Sequence, residues 1–183
     1  MISARTAENF NALMHKLESE SRLIMGVTCA FKKGGHKGFA AFSSNEGHER
    51  WRYSQKVKYF IEKFGQEVKL GTIPEAKTTY ASPVEALASI YGADMEIRNL
   101  IKVGIKLANE DEDYEAAYYM LKIGKMMLHE VNEVDNVMKM VKNSGGTPEG
   151  LSRVDYWLYK EYYEDHDHEH KKYDYYGYNP CGK

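Results

Sequence analysis

The stretch GQEVKLGTIPEAKTTYAS, residues 65–82, decides the fold. It begins with Gly65, contains the run GTIP at 71–74 and shows no helical periodicity. A connection of this length is uncommon in a compact domain unless it serves the topology. We therefore predict that it runs the length of the molecule and joins two long helices that lie parallel.

Two long helices are predicted before this connection. From about Thr6 to Lys33, apolar residues recur at three- and four-residue spacing, which is typical of a helix with one buried face. The pair Gly34-Gly35 ends that helix. The second helix runs from roughly Lys37 to Phe64 and stops at Gly65.

Three further helices are predicted after the connection. Ser82-Pro83 supplies an N-cap and a first helical residue, and Glu85 completes a capping box, so the third helix runs from there to about Asn109. The acidic stretch 110–113 complements a helix dipole and is predicted to open the fourth helix, which ends near Lys142. A short fifth helix starts at 147–150.

The predicted architecture is all-α, a four-helix bundle with one long crossover, a short fifth helix and a polar C-terminal tail. Residues 1–160 form the bundle domain, and residues 161–183 form the tail. The net charge of −2 gives no electrostatic footprint for nucleic acid. Because the sequence has neither a long apolar run nor a signal peptide, we expect a cytoplasmic protein that does not enter a membrane. Cys29 is expected to be buried.

Four segments resemble prokaryotic-type, haem-free ferritins. They are GFAAF at 38–42, VKLGTIP at 68–74, SPVEAL at 82–87 and GTPEGL at 146–151. The resemblance runs in register from about residue 8 to residue 160. It implies the ferritin-like bundle and a subunit of a hollow 24-subunit cage, built from this chain alone or together with other ferritin-like subunits.

Ferritins oxidise Fe(II) at two irons held inside each bundle by carboxylates and histidine, and the resemblance places other residues at those positions. In chain order the ligand positions carry Leu17, Arg50, Tyr53, Gly92, Met126 and Met127. A guanidinium repels iron, and thioethers are poor ligands for it. We therefore predict a degenerate centre without ferroxidase activity, whose apolar members join the bundle core.

The same register yields two further expectations. Arg50 is expected to pair with one of three carboxylates, Glu18, Glu49 or Glu130. The positions that line an iron-entry channel in ferritins fall on Ala117 and Met120, so no acidic funnel for cations is expected there.

The tail run EDHDHEH, residues 164–170, is a second candidate metal site. Its three histidines alternate, so an extended backbone presents all three imidazoles on one side. His166, His168 and His170, with Asp165 and Asp167, are candidate ligands for copper, nickel or zinc, although a solvated tail with adventitious affinity explains the same pattern. Six tyrosines between 162 and 178 favour a contact surface in the same region.

The sequence thus favours a ferritin-like cage or shell subunit that lacks ferroxidase activity and is structural or accessory to iron storage. One alternative is an interaction protein that assembles through its Tyr-rich tail. Another is an iron-storage ferritin with a non-standard metal site.

Overall fold

The computed structural model describes residues 2–164, which form helices and connections without a β-strand. The helices are α1 (Ala4–Lys33), α2 (Lys37–Lys63), α3 (Pro83–Glu110), α4 (Tyr114–Asn143) and α5 (Pro148–Tyr159), followed by a π-helical turn at Lys160–Glu164. Helix α1 packs on α2 and α3, α3 packs on α4, and α5 packs on α2. The predicted bundle with a long α2–α3 crossover and a short fifth helix is confirmed.

Side-chain caps fix where two of the helices begin. The Ser82 hydroxyl accepts a hydrogen bond from the backbone N–H of Glu85, and the Glu85 carboxylate accepts one from the N–H of Ala81 at 2.6 Å. At α5, the Thr147 hydroxyl accepts from the N–H of Gly150 at 3.1 Å. These bonds satisfy helix-terminal N–H groups that would otherwise lack partners.

The prediction that the acidic stretch opens α4 holds only for its last residue: Asp113 is the N-cap of α4, although its side chain makes no capping hydrogen bond. Glu110 is the last residue of α3 and Asp111 caps it. The Arg5 guanidinium binds Asp111 and holds the pKa of that carboxyl at about 2. Asp113 accepts a hydrogen bond from the backbone N–H of Ser3 at 2.9 Å. The carboxylates therefore fasten the start of α1 to the α3–α4 turn.

The apolar core forms two clusters along the bundle. Leu17, Tyr53 and Met127 belong to the first cluster, whereas Ile24 and Val134 belong to the second. Each of these side chains is at most 4% exposed. No helix within residues 2–164 is long and apolar enough to cross a membrane.

Burial contradicts two of the sequence predictions. Cys29 is exposed, because it lies on the side of α1 opposite the buried stripe that contains Val27 and Phe31. Ala117 and Met120, which the resemblance assigned to a channel wall, are buried in the first apolar cluster. The surface at the start of α4 is formed by other side chains, among them Tyr114 and Tyr118.

Replacing Gly38 with alanine is expected to displace α5. A Cβ at Gly38 would lie 1.7 Å from the carbonyl oxygen of Asp155 and 2.7 Å from the backbone nitrogen of Tyr159. Backbone atoms cannot move aside as the end of a side chain can, so we expect the free energy of unfolding to fall by about 1–3 kcal/mol or more. Gly92→Ala is the matched control, because its Cβ would meet no atom within 4 Å and alanine favours a helix by about 1 kcal/mol. The melting temperature should therefore fall in Gly38→Ala and rise in Gly92→Ala. Equal shifts of the two melting temperatures would contradict the close packing of Gly38 on α5.

Candidate functional site

Five charged side chains meet inside the bundle, and all four long helices contribute to them. Glu20 comes from α1, Glu46 and Arg50 from α2, Asp94 from α3 and Glu130 from α4. Each residue is at most 4% exposed. We call this group the Arg50 cluster. Buried charges are rare unless they are paired, so the group calls for a specific explanation.

Each member of the Arg50 cluster stands in a row of buried apolar residues on its helix. Asp94 lies between Ile90 and Ile97, at the three- and four-residue spacing of one helix face. The corresponding rows are Leu17-Glu20-Ile24, Phe42-Glu46-Arg50-Tyr53 and Met127-Glu130-Val134. The helices that bury these apolar rows therefore bring the charged side chains together, between the two apolar clusters.

The Arg50 guanidinium donates through all five of its N–H groups. Nε and Nη2 donate to the two oxygens of Asp94 at 2.9 and 3.0 Å, a bidentate pair. Nη2 also donates to Glu46 Oε2 at 3.0 Å, and Nη1 donates to Glu130 Oε2 at 3.0 Å and to the Glu46 carbonyl at 3.5 Å. The Tyr53 hydroxyl donates to the other Glu130 oxygen at 2.6 Å.

Glu20 is the surplus carboxyl group of the cluster. Its Oε1 lies 3.4 Å from Arg50 Nε, but among the described residues no N–H or O–H group of another residue donates to either of its oxygens; a protonated Glu20 instead donates to Asp94. Asp94, Glu46 and Glu130 already use the five donors of the guanidinium. Four carboxylates thus face one cation, which would leave three uncompensated negative charges if all were ionised.

Protons reduce this excess of negative charge. Burial, with the nearby charges of Glu130 and Asp94, raises the pKa of Glu46 to about 8 against the opposing effect of Arg50. Burial and the Asp94 charge likewise raise the pKa of Glu20. Burial disfavours the charged guanidinium, but the carboxylates outweigh it and raise the pKa of Arg50. The cluster at neutral pH is therefore a charged guanidinium among partly protonated carboxyl groups.

The stability of the protein should fall as pH rises through this range. Glu46 keeps its proton in the folded state up to about pH 8, whereas the ordinary pKa of a glutamate side chain is 4.5. Between these values the folded state binds more protons, so the free energy of unfolding decreases by about 1.4 kcal/mol per pH unit for each such proton. Urea unfolding from pH 5 to pH 8 should show this slope in the native chain.

Glu46→Gln should flatten that slope, because it removes one of the two carboxyl groups with a raised pKa. Glu62→Gln is the control, since Glu62 is 49% exposed and pairs with Lys58 on the surface of α2. A slope that survives Glu46→Gln unchanged would mean that another group titrates.

The residues predicted for the degenerate centre have different outcomes. Arg50 and Tyr53 lie at the cluster, and Leu17 and Met127 are buried in the adjoining apolar cluster. Met126 is only partly buried against that cluster. The prediction that Gly92 occupies the ligand position on α3 is wrong, because Gly92 is exposed. The buried face of α3 presents Asp94, two residues later.

The predicted partners of Arg50 are confirmed in one case of three. Glu130 pairs with Arg50, whereas Glu49 pairs with Arg52 at 2.7 Å. Glu18 does not contribute to the cluster; Glu20, two residues further along α1, lies beside the guanidinium instead. Sequence analysis missed Glu20, Glu46 and Asp94.

The tail site, His166, His168 and His170 with Asp165 and Asp167, lies outside the described residues. Of the tail tyrosines, Tyr162 packs on the bundle, where its hydroxyl donates to Glu133 at 2.9 Å and its ring meets Phe42 edge-on. Contacts between tail and bundle thus extend beyond residue 160.

The Arg50 cluster does not fit the dinuclear iron centre that the resemblance implies. A guanidinium occupies the space between the carboxylates and takes up the oxygens that metal ions would need. Within residues 2–164, no three histidine, cysteine, aspartate or glutamate side chains are placed to hold a metal ion. The carboxyl groups of the cluster instead bind protons and the guanidinium of Arg50.

Ferritins are among the solved structures with the same architecture. An open-pore ferritin from the hyperthermophilic archaeon Archaeoglobus fulgidus is 19% identical, with a TM-score of 0.83 over 86% of this chain and 98% of its own. An engineered closed form of that protein has a TM-score of 0.82 and 19% sequence identity, and the match covers 86% of this chain and 96% of its own. A humanized archaeal ferritin has a TM-score of 0.82 and 18% identity, with the same coverage of both chains. No family model and no curated protein matches the sequence. The chain has the ferritin fold.

Proposed function

We propose that this ferritin-fold chain is a shell subunit of a ferritin-like cage that does not oxidise Fe(II) inside its bundle, and that its role in iron storage is structural or accessory. The proposal rests on one observation: the guanidinium of Arg50 is fully buried where the four long helices meet. A fixed cation at this place repels Fe²⁺ and occupies the carboxylates.

Assembly is supported by the fold and by the surface. The structural neighbours are ferritins, and large apolar side chains are exposed on α2 and on the crossover. Trp51 is 54% exposed, Tyr59 66% and Leu70 73%. Exposed apolar surface of this kind is typical of contacts between subunits. Mass photometry should find a particle of about 500 kDa, as expected for 24 copies of the 21.1 kDa chain.

Iron oxidation tests the proposed function directly. Fe(II) is added to the protein without oxygen, oxygen is then mixed in, and ferric absorbance is followed by stopped flow. We expect the absorbance to rise no faster than for Fe(II) in buffer alone, because the bundle offers no set of carboxylates free of the guanidinium. A ferritin with an intact dinuclear centre serves as the positive control.

The opposite result has a defined meaning. Rapid oxidation that saturates at about two irons per chain would contradict the proposal, and the alternative of a non-standard iron-storage site would then hold. To place such activity, the chain is shortened to residues 1–164. If oxidation disappears with the tail, the iron site lies outside the bundle.

A further inference from the structure

A stripe of exposed side chains runs along the face of α4 that is turned away from the bundle core. Its members recur at alternating spacings of four and three residues: Tyr114, Tyr118, Leu121, Lys125 and Leu128. The four apolar members are each at least 44% exposed. We call this set the α4 stripe. Such spacing is the pattern of a and d positions through which one helix packs along another in a coiled coil.

The α4 stripe is separate from the face of α4 that builds the bundle. The buried face carries an apolar row of its own, which includes Met120, Ile123 and Met127. Helix α4 is therefore apolar on two faces, and residues 2–164 cover only one of them. A helix at the surface of a bundle ordinarily exposes polar residues. Exposed apolar residues in a row are typical of a contact with another protein chain.

Two exposed charged side chains follow the α4 stripe along one edge. Glu115 comes directly after Tyr114, and Lys122 comes directly after Leu121, so both occupy the e position of the heptad. The Lys122 ammonium lies 4.8 Å from the centre of the Tyr118 ring, which places it against the stripe. Charges at e and g positions select the partner and the orientation of a helix pair.

The α4 stripe is complementary to a second copy of itself in the antiparallel orientation. An a position then packs against a d position of the other copy. In one register Tyr118 lies opposite Leu121, and Tyr114 lies opposite Lys125, whose long aliphatic stem can cover the ring. The two-fold axis of such a pair repeats each contact, so four layers of side chains are formed.

The charges on the edge favour the same orientation. Antiparallel helices bring e positions beside e positions, and this register places Glu115 of each copy beside Lys122 of the other. Two reciprocal ion pairs result. Parallel helices bring e positions beside g positions instead, and the g positions here are Ala117 and Gly124. Only the antiparallel pair therefore compensates both charges.

We propose that the α4 stripe binds the α4 stripe of a second copy of this chain, as an antiparallel helix pair. The occupant is a copy because the packing layers and the charges are both complementary to themselves. The contact lies on a different helix from the exposed Trp51 and Tyr59 of α2. The proposal rests on α4 alone and is independent of cage assembly and of iron oxidation.

Disulfide trapping tests the register. The double variant Tyr114→Cys/Lys125→Cys is made in the full chain with Cys29→Ser and Cys181→Ser. It is oxidised, and linked peptides are identified by mass spectrometry. We expect links between residues 114 and 125 of different chains to exceed links between two residues 114 at least about tenfold. The antiparallel register keeps the two residues 114 about 16 Å apart along the helix axis, which is too far for a disulfide.

A charge exchange tests the orientation and leaves the α4 stripe intact. Added to the trapping variant, Glu115→Lys or Lys122→Glu should each lower the yield of the 114–125 link at least about threefold, and the two together should restore it. Leu121→Glu should abolish the link. Val103→Glu is the matched control, because Val103 is an exposed apolar residue of α3 outside the stripe, and the yield should stay unchanged.

Three results would overturn the proposal. Links between two residues 114 would predominate if the copies met in parallel or around a three-fold axis. No links between chains would form if another segment or another protein covered the α4 stripe. A combined charge exchange that failed to restore the yield would show that the charges do not pair across the contact.

Discussion

Replacing Arg50 with methionine should lower the free energy of unfolding by about 3–5 kcal/mol at pH 8. The methionine keeps most of the volume but removes the cation to which Asp94, Glu46 and Glu130 are bonded. Protonation can relieve part of the repulsion, so the loss should be smaller at pH 5. Urea unfolding at the two pH values measures both effects.

Arg52→Met is the matched control for this experiment. Arg52 is two residues away on α2, its side chain is 48% exposed, and it pairs with Glu49 on the surface. Its replacement should change stability by about 0.5 kcal/mol or less. If Arg50→Met were as stable as the native chain at pH 8, the guanidinium would not be what holds the carboxylates together.

Two carboxyl groups of the same cluster should respond with opposite signs. Asp94→Asn removes the charge of the bidentate partner of Arg50 and leaves one guanidinium N–H facing an amide N–H. We therefore expect the free energy of unfolding to fall by about 3 kcal/mol or more. Glu20→Gln removes a carboxyl group to which no other described residue donates a hydrogen bond, and the glutamine amide can still donate to Asp94. It should therefore be neutral or stabilise the fold by up to about 1 kcal/mol.

Denaturant unfolding of the two variants at pH 7.5 provides the comparison. Equal losses from both replacements would mean that Glu20 belongs to the paired network and is not surplus. A loss confined to Asp94→Asn supports the assignment of all five guanidinium donors.

The helices were predictable because their signals are local. Apolar periodicity, the Ser82 cap with Glu85 and the glycines at 34 and 65 locate the ends of α1, α2 and α3 to within a few residues. For the same reason, the role of the acidic stretch was predicted only in part. Its dipole effect favours a helix start, but the contacts of Asp111 with Arg5 and of Asp113 with Ser3 are long-range.

The Arg50 cluster was predictable only in part. The resemblance singled out Arg50 and Tyr53, which lie in the cluster, but counting along α3 from Ser82 stopped at Gly92, two residues before Asp94. A usable signal was present, because Glu20, Asp94 and Glu130 each interrupt a row of buried apolar residues at helical spacing. A charged residue in such a row predicts a buried partner, although it does not show which helix supplies it.

Under the proposed function, the cluster would take the place of the metal ligands that the resemblance implies. Leu17 and Met127 extend the apolar core where ligands are expected by resemblance. Arg50 then supplies a cation to the carboxylates of the neighbouring turns. The positive charge that these carboxylates face within the bundle is thus supplied by the chain itself.

The most direct test is anomalous diffraction from crystals of the full chain soaked anaerobically in Fe(II). We expect the Arg50 guanidinium to remain bonded to Asp94, Glu46 and Glu130, with no anomalous peak between α1, α2, α3 and α4. A pair of iron peaks among these carboxylates, with the Arg50 side chain moved aside, would contradict the account.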